Sequence, residues 1–277
     1  MEYVLCAPET GPIMTTAAHP ADVYRGYRFP GAVIAHAVWL YLRFPLRFRD
    51  VEELLAERGI QVSYETVHCW AAKFGPQAAS QLRKREGRPG RVWHLDGRAV
   101  RIGGKQHWLW RAVDEHGATL DVLLQEQRDT DAAERFFQVL LGHAGAAPEW
   151  INTDKLGSYA AAIRQLPKLA EVGHRQVRAA QRCNNKVEQA HQPTRVREIR
   201  MGRLRCPTST QRFLSAFTRT WNLFRRRRRA FTAPAHGIVL QERFTGWQVA
   251  AESRLSYARE RSAPPQVRLS PPLASSR

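Results

Sequence analysis

The feature that most narrows the folds open to this chain is a change of hydrophobic period near residue 92. Upstream, apolar residues recur at helical spacing; downstream, they alternate with polar ones. "VWHLDGRAVRI", "QHWLWRAVDEHG" and "ATLDVLLQEQ" read as three successive strands, the second ending in the turn-rich "DEHG". "DTDAAERFFQVLLGHAG" is an amphipathic helix capped by Asp129 or Thr130. "EWINTD" is a short apolar strand ending on Asp154, and "KLGSYAAAIRQL" is the helix after it. Three meandering strands followed by helix, strand and helix make a mixed α/β layer.

The helical part comes first. After a weakly patterned tail over 1–24, in which Met14 is an alternative start, residues 25–78 form a small all-α unit. "PGAVIAHAVWLYLRF" and "RDVEELLAERG" carry two helices. Ser63 is placed to cap a third, and Gly75 to end it. Helix, Gly-containing turn and helix is the outline of a helix-turn-helix, in which Tyr64, Glu65, His68 and Lys73 face a DNA groove while Val67 and Trp70 pack inward. An ordinary three-helix bundle has the same pattern. Residues 79–91 read as a linker, rich in charge, Gly and Pro. Past the α/β layer, residues 184–229 read as one or two basic helices broken at Pro193 and Pro207, closed by "RRRRR" at 225–229. The Ser/Pro/Arg-rich text over 248–277 reads as disordered.

Charge narrows the partner. Lys and Arg number 43 against 25 Asp and Glu, a formal net charge of +18. Such a surplus repels itself in a compact state and calls for a polyanion. There is no apolar run of membrane-spanning length and no signal-peptide pattern, so nucleic acid is favoured over a lipid surface. Four scattered cysteines with no C-x-x-C pair point to a reducing cytosol. His174, Cys183 and His191 match no common zinc spacing.

Three acids stand out in this basic background: Asp96 in the middle of the first strand, Asp154 at the carboxyl end of the fourth, and Glu188 early on a basic helix. Mg²⁺ takes oxygen ligands and keeps several waters, so a few carboxylates suffice to hold it. Two such ions activate the attacking oxygen and stabilise the leaving oxygen in phosphoryl transfer. Structural alternatives stay open on sequence alone. Asp96-Gly97 also fits a bulge or turn, Asp154 fits a helix cap, and Glu188 has Arg182, Gln192 and Arg195 as partners. Tyr159 and Tyr257 lack the surroundings of a covalent recombinase nucleophile.

Several long motifs, in order, go beyond spacing. "YRGYRFPGAVIAHAVWLYLRFPLRFRDVEELLAERGIQVSYETVHCWAAKFGP", "WHLDGRAVRIGGKQHWLWRAVDEHGATLDVLLQEQRDTDAAERFF", "INTDKLGSYAAAI" and "NNKVEQAHQPTRVREIRM" closely resemble the DDE transposases of the insertion sequence six family. The resemblance runs from about Tyr24 to about Trp247. It implies a helix-turn-helix region ahead of a ribonuclease-H-like core over 92–247, whose mixed sheet has flanking helices and basic carboxyl-terminal helices. The activity it implies is Mg²⁺-dependent cleavage of element ends and their joining to target DNA. Two ions are implied, with Mn²⁺ able to substitute. The partners implied are double-stranded DNA, as element ends and target, and further copies of the chain, as a dimer or larger synaptic assembly.

By matched motif, "HLD", "NTD" and "NNKVEQ" give Asp96, Asp154 and Glu188 as catalytic metal ligands. Arg195, seven places after the glutamate, is implied as a grip on the terminal phosphate, with Lys155, Arg197 and Arg200 as further DNA contacts. One departure matters: the family usually has "DE" at the first aspartate, and this chain has "DG". Gly97 therefore leaves open an alternative, a catalytically decayed or co-opted copy that acts only by binding DNA.

Overall fold

A computed structural model describes residues 22–154, 156–177, 185–201, 204–225 and 232–253. The change of period falls where the sequence places it. β1 (Val92–Ile102), β2 (Lys105–Asp114) and β3 (Thr119–Gln125) form an antiparallel meander. The β1–β2 turn is made by Gly103 and Gly104, both in the left-handed region at φ 55° and 84°, where a Cβ is strained. β4 (Trp150–Thr153) and β5 (Gly173–Gln176) then add in parallel on the other side of β1, giving the order β3-β2-β1-β4-β5. This is the ribonuclease-H-like order. β5 is absent from the pattern because "GHRQ" is four residues long and only its pairing to β4 marks it as a strand.

The remaining elements are helices: α1 (Gly31–Arg43), α2 (Phe48–Ala56), α3 (Tyr64–Arg85), α4 (Thr130–Ala144), α5 (Gly157–Gln165), α6 (Asn185–Arg200), α7 (Pro207–Phe224) and α8 (Ala233–Glu252). Asp129, not Thr130, caps α4, accepting from the Ala132 amide at 2.8 Å, and Gly145 ends that helix at φ 74°. α4 and α5 cover one face of the sheet with Phe136, Phe137, Leu140, Ala162 and Ile163 packed on Trp93, Leu95 and Trp110.

The helical unit departs from expectation in three places. α3 does not stop at Gly75: it runs through Pro76 to Arg85, so the linker shrinks to 86–91. Proline costs one backbone hydrogen bond there, but Ala78, Ala79 and Leu82 lie beyond it in the core and hold the helix on. The expected amino-terminal tail ends early, because Asp22–Tyr24 form a 3₁₀ turn and Tyr24 Oη donates to the Ala251 carbonyl at 2.9 Å. At the other end, α8 continues to Glu252 and buries Ala250 and Ala251. The reason lies in α1, which buries eight residues between Ile34 and Leu42. That is more apolar circumference than α2 and α3 cover, so α7 and α8 close over it, and Trp247 Nε1 donates to the Ala35 carbonyl at 3.2 Å. Residues 1–21 and 254–277, and with them Met14 and most of both expected tails, lie outside the described residues. No helix among the described residues is long and apolar enough to cross a membrane.

A buried ionic cluster fastens helices to sheet. Asp121 on β3 accepts from His143 of α4 at 2.5 Å and from Arg83 of α3 at 3.2 Å, and Arg219 of α7 stands 3.6 Å away. Arg219 also reaches Glu86 at 2.5 Å and the Leu120 carbonyl at 2.6 Å. Burial alone would raise the Asp121 carboxyl, but the His143 hydrogen bond and the two guanidiniums outweigh it and hold the group below the usual carboxylate range. A depressed folded value means the stabilisation is complete above the unfolded value, about 4, and is lost as pH falls through the folded one. Asp121→Ala, which leaves Arg219 buried without that partner, is expected to cost about 3–5 kcal/mol and to flatten the acid limb of stability below about pH 4. Urea unfolding of both proteins across pH 2–7 checks this; an unchanged acid limb would refute it.

Candidate active site

The parallel pairing of β1 with β4 decides where two of the three acids meet. Its register sets Trp93 opposite Ile151 and His94 opposite Asn152. Two residues further along each chain come Asp96, within β1, and Asp154, just after β4; the same register continued brings them alongside, and the Asp154 charge acts on Asp96. Side chains two apart share a face, and neighbouring strands lie about 4.8 Å apart. Neither structural alternative for these acids is complete. Asp96 is paired within β1 opposite Arg111, with no bulge there. Asp154 does accept from the Leu156 amide at 3.2 Å, but the residue at the cap of α5 is Leu156.

Glu188 arrives on the first turn of α6, exposed, next to fully buried Val187. Arginines seat that helix on the sheet. Arg111, directly opposite Asp96 in the β1–β2 register, donates to the Ala190 carbonyl and, at 2.6 Å, to Thr194 Oγ1, on either side of Pro193, through which α6 runs without the expected break. Arg98 of β1 reaches Glu198 at 2.5 Å. Arg111 is so completely buried that its guanidinium is pushed down to about 9, with Arg98 adding to the shift.

The three carboxylates act on one another. Burial raises the Asp96 carboxyl, and the charges of Asp154 and Glu188 raise it further, against the Gly97 amide and Arg128. Two groups stand at this crowded edge. Arg128, at the end of the β3–α4 connection, pairs with Asp154 at 2.5 Å and lies over the Trp108 ring, 4.7 Å from its centre. His191, one turn after Glu188 on α6, brings Nε2 to 3.5 Å from Asp96 Oδ2. The ring is 6 % exposed, and burial together with Arg111 and Arg98 pushes it down to about 2. It is therefore a neutral imidazole, and neither nitrogen has a hydrogen-bond partner among the described residues.

Oxygen-only donors under mutual repulsion suit a hard divalent cation. Among the described residues, no three acid, histidine or cysteine side chains are gathered closely enough to hold one ion as they stand. Asp154 is committed to Arg128, and Glu188 is exposed. The donor set fits the ion, on condition that Arg128 lets go.

Of the expected DNA contacts, Arg195 and Arg200 are exposed on α6. Arg197 is not: it is 1 % exposed, donates to the Phe44 and Leu46 carbonyls at 2.7 Å each, and lies over the rings of Tyr41 and Phe213. Its place on the inner face of α6 makes it a strut to the α1–α2 connection, so the expectation that it binds phosphate is corrected. On α3, His68 is exposed beside the Phe48 ring, Tyr64 is half-buried under Arg49, and Lys73 donates to Tyr27 Oη at 2.7 Å. Lys155, Arg182, Cys183 and Arg226–Arg229 lie outside the described residues. His174 is engaged by Thr153 Oγ1 at 2.9 Å. Tyr159 is fully buried, and burial with the Asp154 and Asp96 charges pushes its phenol well above the ordinary value, the reverse of what a nucleophile needs. Tyr257 lies outside the described residues.

Sequence reasoning missed Arg128, Arg111 and the role of His191. Only His191 left a signal, its three-residue offset from Glu188. The two exposures on α6 separate cleanly in a stability experiment. Arg197→Ala removes a fully buried side chain together with its bonds to the Phe44 and Leu46 carbonyls and is expected to cost about 3 kcal/mol or more, whereas Arg195→Ala stays within about 0.5 kcal/mol. Chemical denaturation of both variants checks this; equal losses would contradict it.

Comparison with known proteins adds an independent line. A family model described as a DDE domain matches residues 90–227. The transposase for insertion sequence-like element IS431mec of Staphylococcus aureus is 30 % identical over 223 residues, covering 79 % of this chain and 98 % of that protein. The transposase for insertion sequence element IS257 in transposon Tn4003, from the same species, is 29 % identical over the same length and shares of both chains. Among solved structures, the catalytic domain of Mos1 mariner transposase superposes with a TM-score of 0.36 at 12 % identity, over 66 % of this chain and 95 % of that one.

Proposed function

The chain belongs to the insertion sequence six family of DDE transposases, enzymes of DNA transposition, and from that membership we propose that Asp96, Asp154 and Glu188 are the residues that carry its strand cleavage and strand transfer. The observation that carries this assignment is the β1–β4 register, which sets Asp96 and Asp154 side by side with Glu188 within electrostatic reach. The three carboxylates bind Mg²⁺, as two ions, and Mn²⁺ substitutes. Bound there, the ions supply charge stabilisation to the attacking and leaving oxygens.

The protein's own residues set the geometry of the reaction. The acid trio would hold the ions against which the scissile phosphate is aligned for in-line attack. A water oxygen bonds to phosphorus at each element end as the bond from phosphorus to the 3′ oxygen breaks. That oxygen takes up a proton and leaves as a 3′-OH. The freed 3′-OH then attacks a target phosphodiester, displacing its 3′ oxygen, with no covalent protein intermediate. Buried Arg111 keeps α6, and hence Glu188, against the sheet.

DNA is held on both sides of that site. Tyr64, His68 and Lys73 of α3 read the terminal inverted repeats in a helix-turn-helix formed by α2 and α3. Arg195 and Arg200, with Lys155, grip phosphates without regard to sequence. Two ends cut by one assembly require at least two copies of the chain. The protein works in the bacterial cytoplasm, on the nucleoid.

Two measurements test this. Asp154→Asn is expected to abolish Mg²⁺-dependent cleavage and joining of labelled end DNA while DNA affinity holds; cleavage that survives in that variant removes Asp154 from the chemistry. Arg195→Gln is expected to weaken DNA binding alike for specific and random duplexes and to lower the salt slope of log affinity by about 1. An unchanged slope removes Arg195 from the phosphate contacts.

A further inference from the structure

Gly97 and Arg128 explain each other. A Cβ built on Gly97 meets Arg128 Nε at 3.4 Å, Arg128 Nη2 at 3.8 Å and Tyr159 Oη at 3.8 Å. The position after Asp96 thus faces the guanidinium directly, and any acid there would lie against it. With glycine instead, that carboxylate is missing, and Arg128 turns to Asp154 at 2.5 Å. Its Nε is buried with no hydrogen-bond partner among the described residues, so the pair with Asp154 leaves part of its donor fork unused. The Trp108 ring under it fixes the guanidinium plane from the other side, and the side chain keeps 24 % exposure at the mouth of the site.

We propose that Arg128 is a further catalytic residue with two successive partners: it neutralises Asp154 while the carboxylates hold no metal, and it contacts the scissile phosphate once they do. This rests on the assignment of Asp96, Asp154 and Glu188 as ligands. The first half follows from repulsion, since Asp96 and Asp154 share a half-buried sheet edge and need a cation between them. The second follows from the shelf. When Asp154 is surrendered to a divalent ion, the guanidinium stays over Trp108, a few ångströms from the vacated oxygens, with its planar fork free. An arginine fork matches two phosphate oxygens at once. At rest Arg128 competes with metal; in the loaded site it stabilises the charge on the transferring phosphate.

The two halves predict opposite effects of one substitution. Mn²⁺ binding to the full-length protein without DNA is followed by electron paramagnetic resonance of the free ion. Arg128→Gln is expected to tighten it at least fivefold, against less than twofold for Arg195→Gln, which removes the same charge from the exposed face of α6. At saturating Mn²⁺, single-turnover cleavage of a duplex from the DNA flanking the gene is expected to slow at least tenfold in Arg128→Gln, and Arg128→Lys to recover only part of it. Unchanged or weaker Mn²⁺ binding overturns the competition, and undiminished cleavage overturns the phosphate contact. Asp154→Asn separates this from the underlying assignment: if it leaves Mn²⁺ binding intact, the ligand set itself is wrong. A measurement on the unaltered chain guards against misfolding of the variant. The Arg128 Nε–H resonance, assigned through Arg128→Lys, must shift on Mg²⁺ titration with the saturation of metal binding. A stationary resonance overturns the proposal.

Discussion

The constraint everything else answers to is electrostatic. Parallel pairing of β1 and β4 sets two carboxylates abreast at the rim of a sheet, and α6 brings a third within reach. Like charges at that spacing, partly out of water, raise each other's proton affinity or recruit a cation. In this chain Arg128 answers for Asp154, and neutral His191 stands against Asp96.

Buried arginines then do the mechanical work. Arg111 and Arg98 tie α6 to the sheet, and Arg197 ties the same helix to the connection between α1 and α2. The Asp121 cluster fixes α3, α4 and α7 to β3. The helical unit and the sheet are thereby joined through charged contacts, of which the Asp121–Arg219 pair, buried on both sides, has the least tolerance for truncation. DNA held on α3 and a phosphate held at the rim would be referred to one framework through α6.

How much of this the sequence carried depends on the range of the interaction. Alternation and caps are local, so β1, β2, β3, α4 and β4 could be read directly, down to Asp129 and Ser63 as capping residues. Asp96, Asp154 and Glu188 stood out by position and by motif. What failed was non-local. Gly75-Pro76 has the local signature of a helix end, and the core beyond it overrides that signature. Arg197 and Arg195 are two residues apart in the same basic run, and only the packing of α6 on Tyr41 and Phe213 turns one inward. Arg128 sits in an unremarkable "QRDT", with no spacing relation to Asp154 or Gly97; the sheet alone brings the three together.

Gly97 also changes meaning once the fold is known. On sequence it suggests a decayed copy. In the fold it lies against the Arg128 guanidinium, outside the acid trio. The central claim remains that the acid trio holds a divalent ion. Anomalous diffraction from crystals of the full-length protein grown with Mn²⁺ tests it most directly. The account predicts a peak bonded to oxygens of Asp96 and Asp154, with Glu188 turned towards it and Arg128 parted from Asp154. Manganese bound elsewhere, with the pair between Arg128 and Asp154 intact, would contradict it.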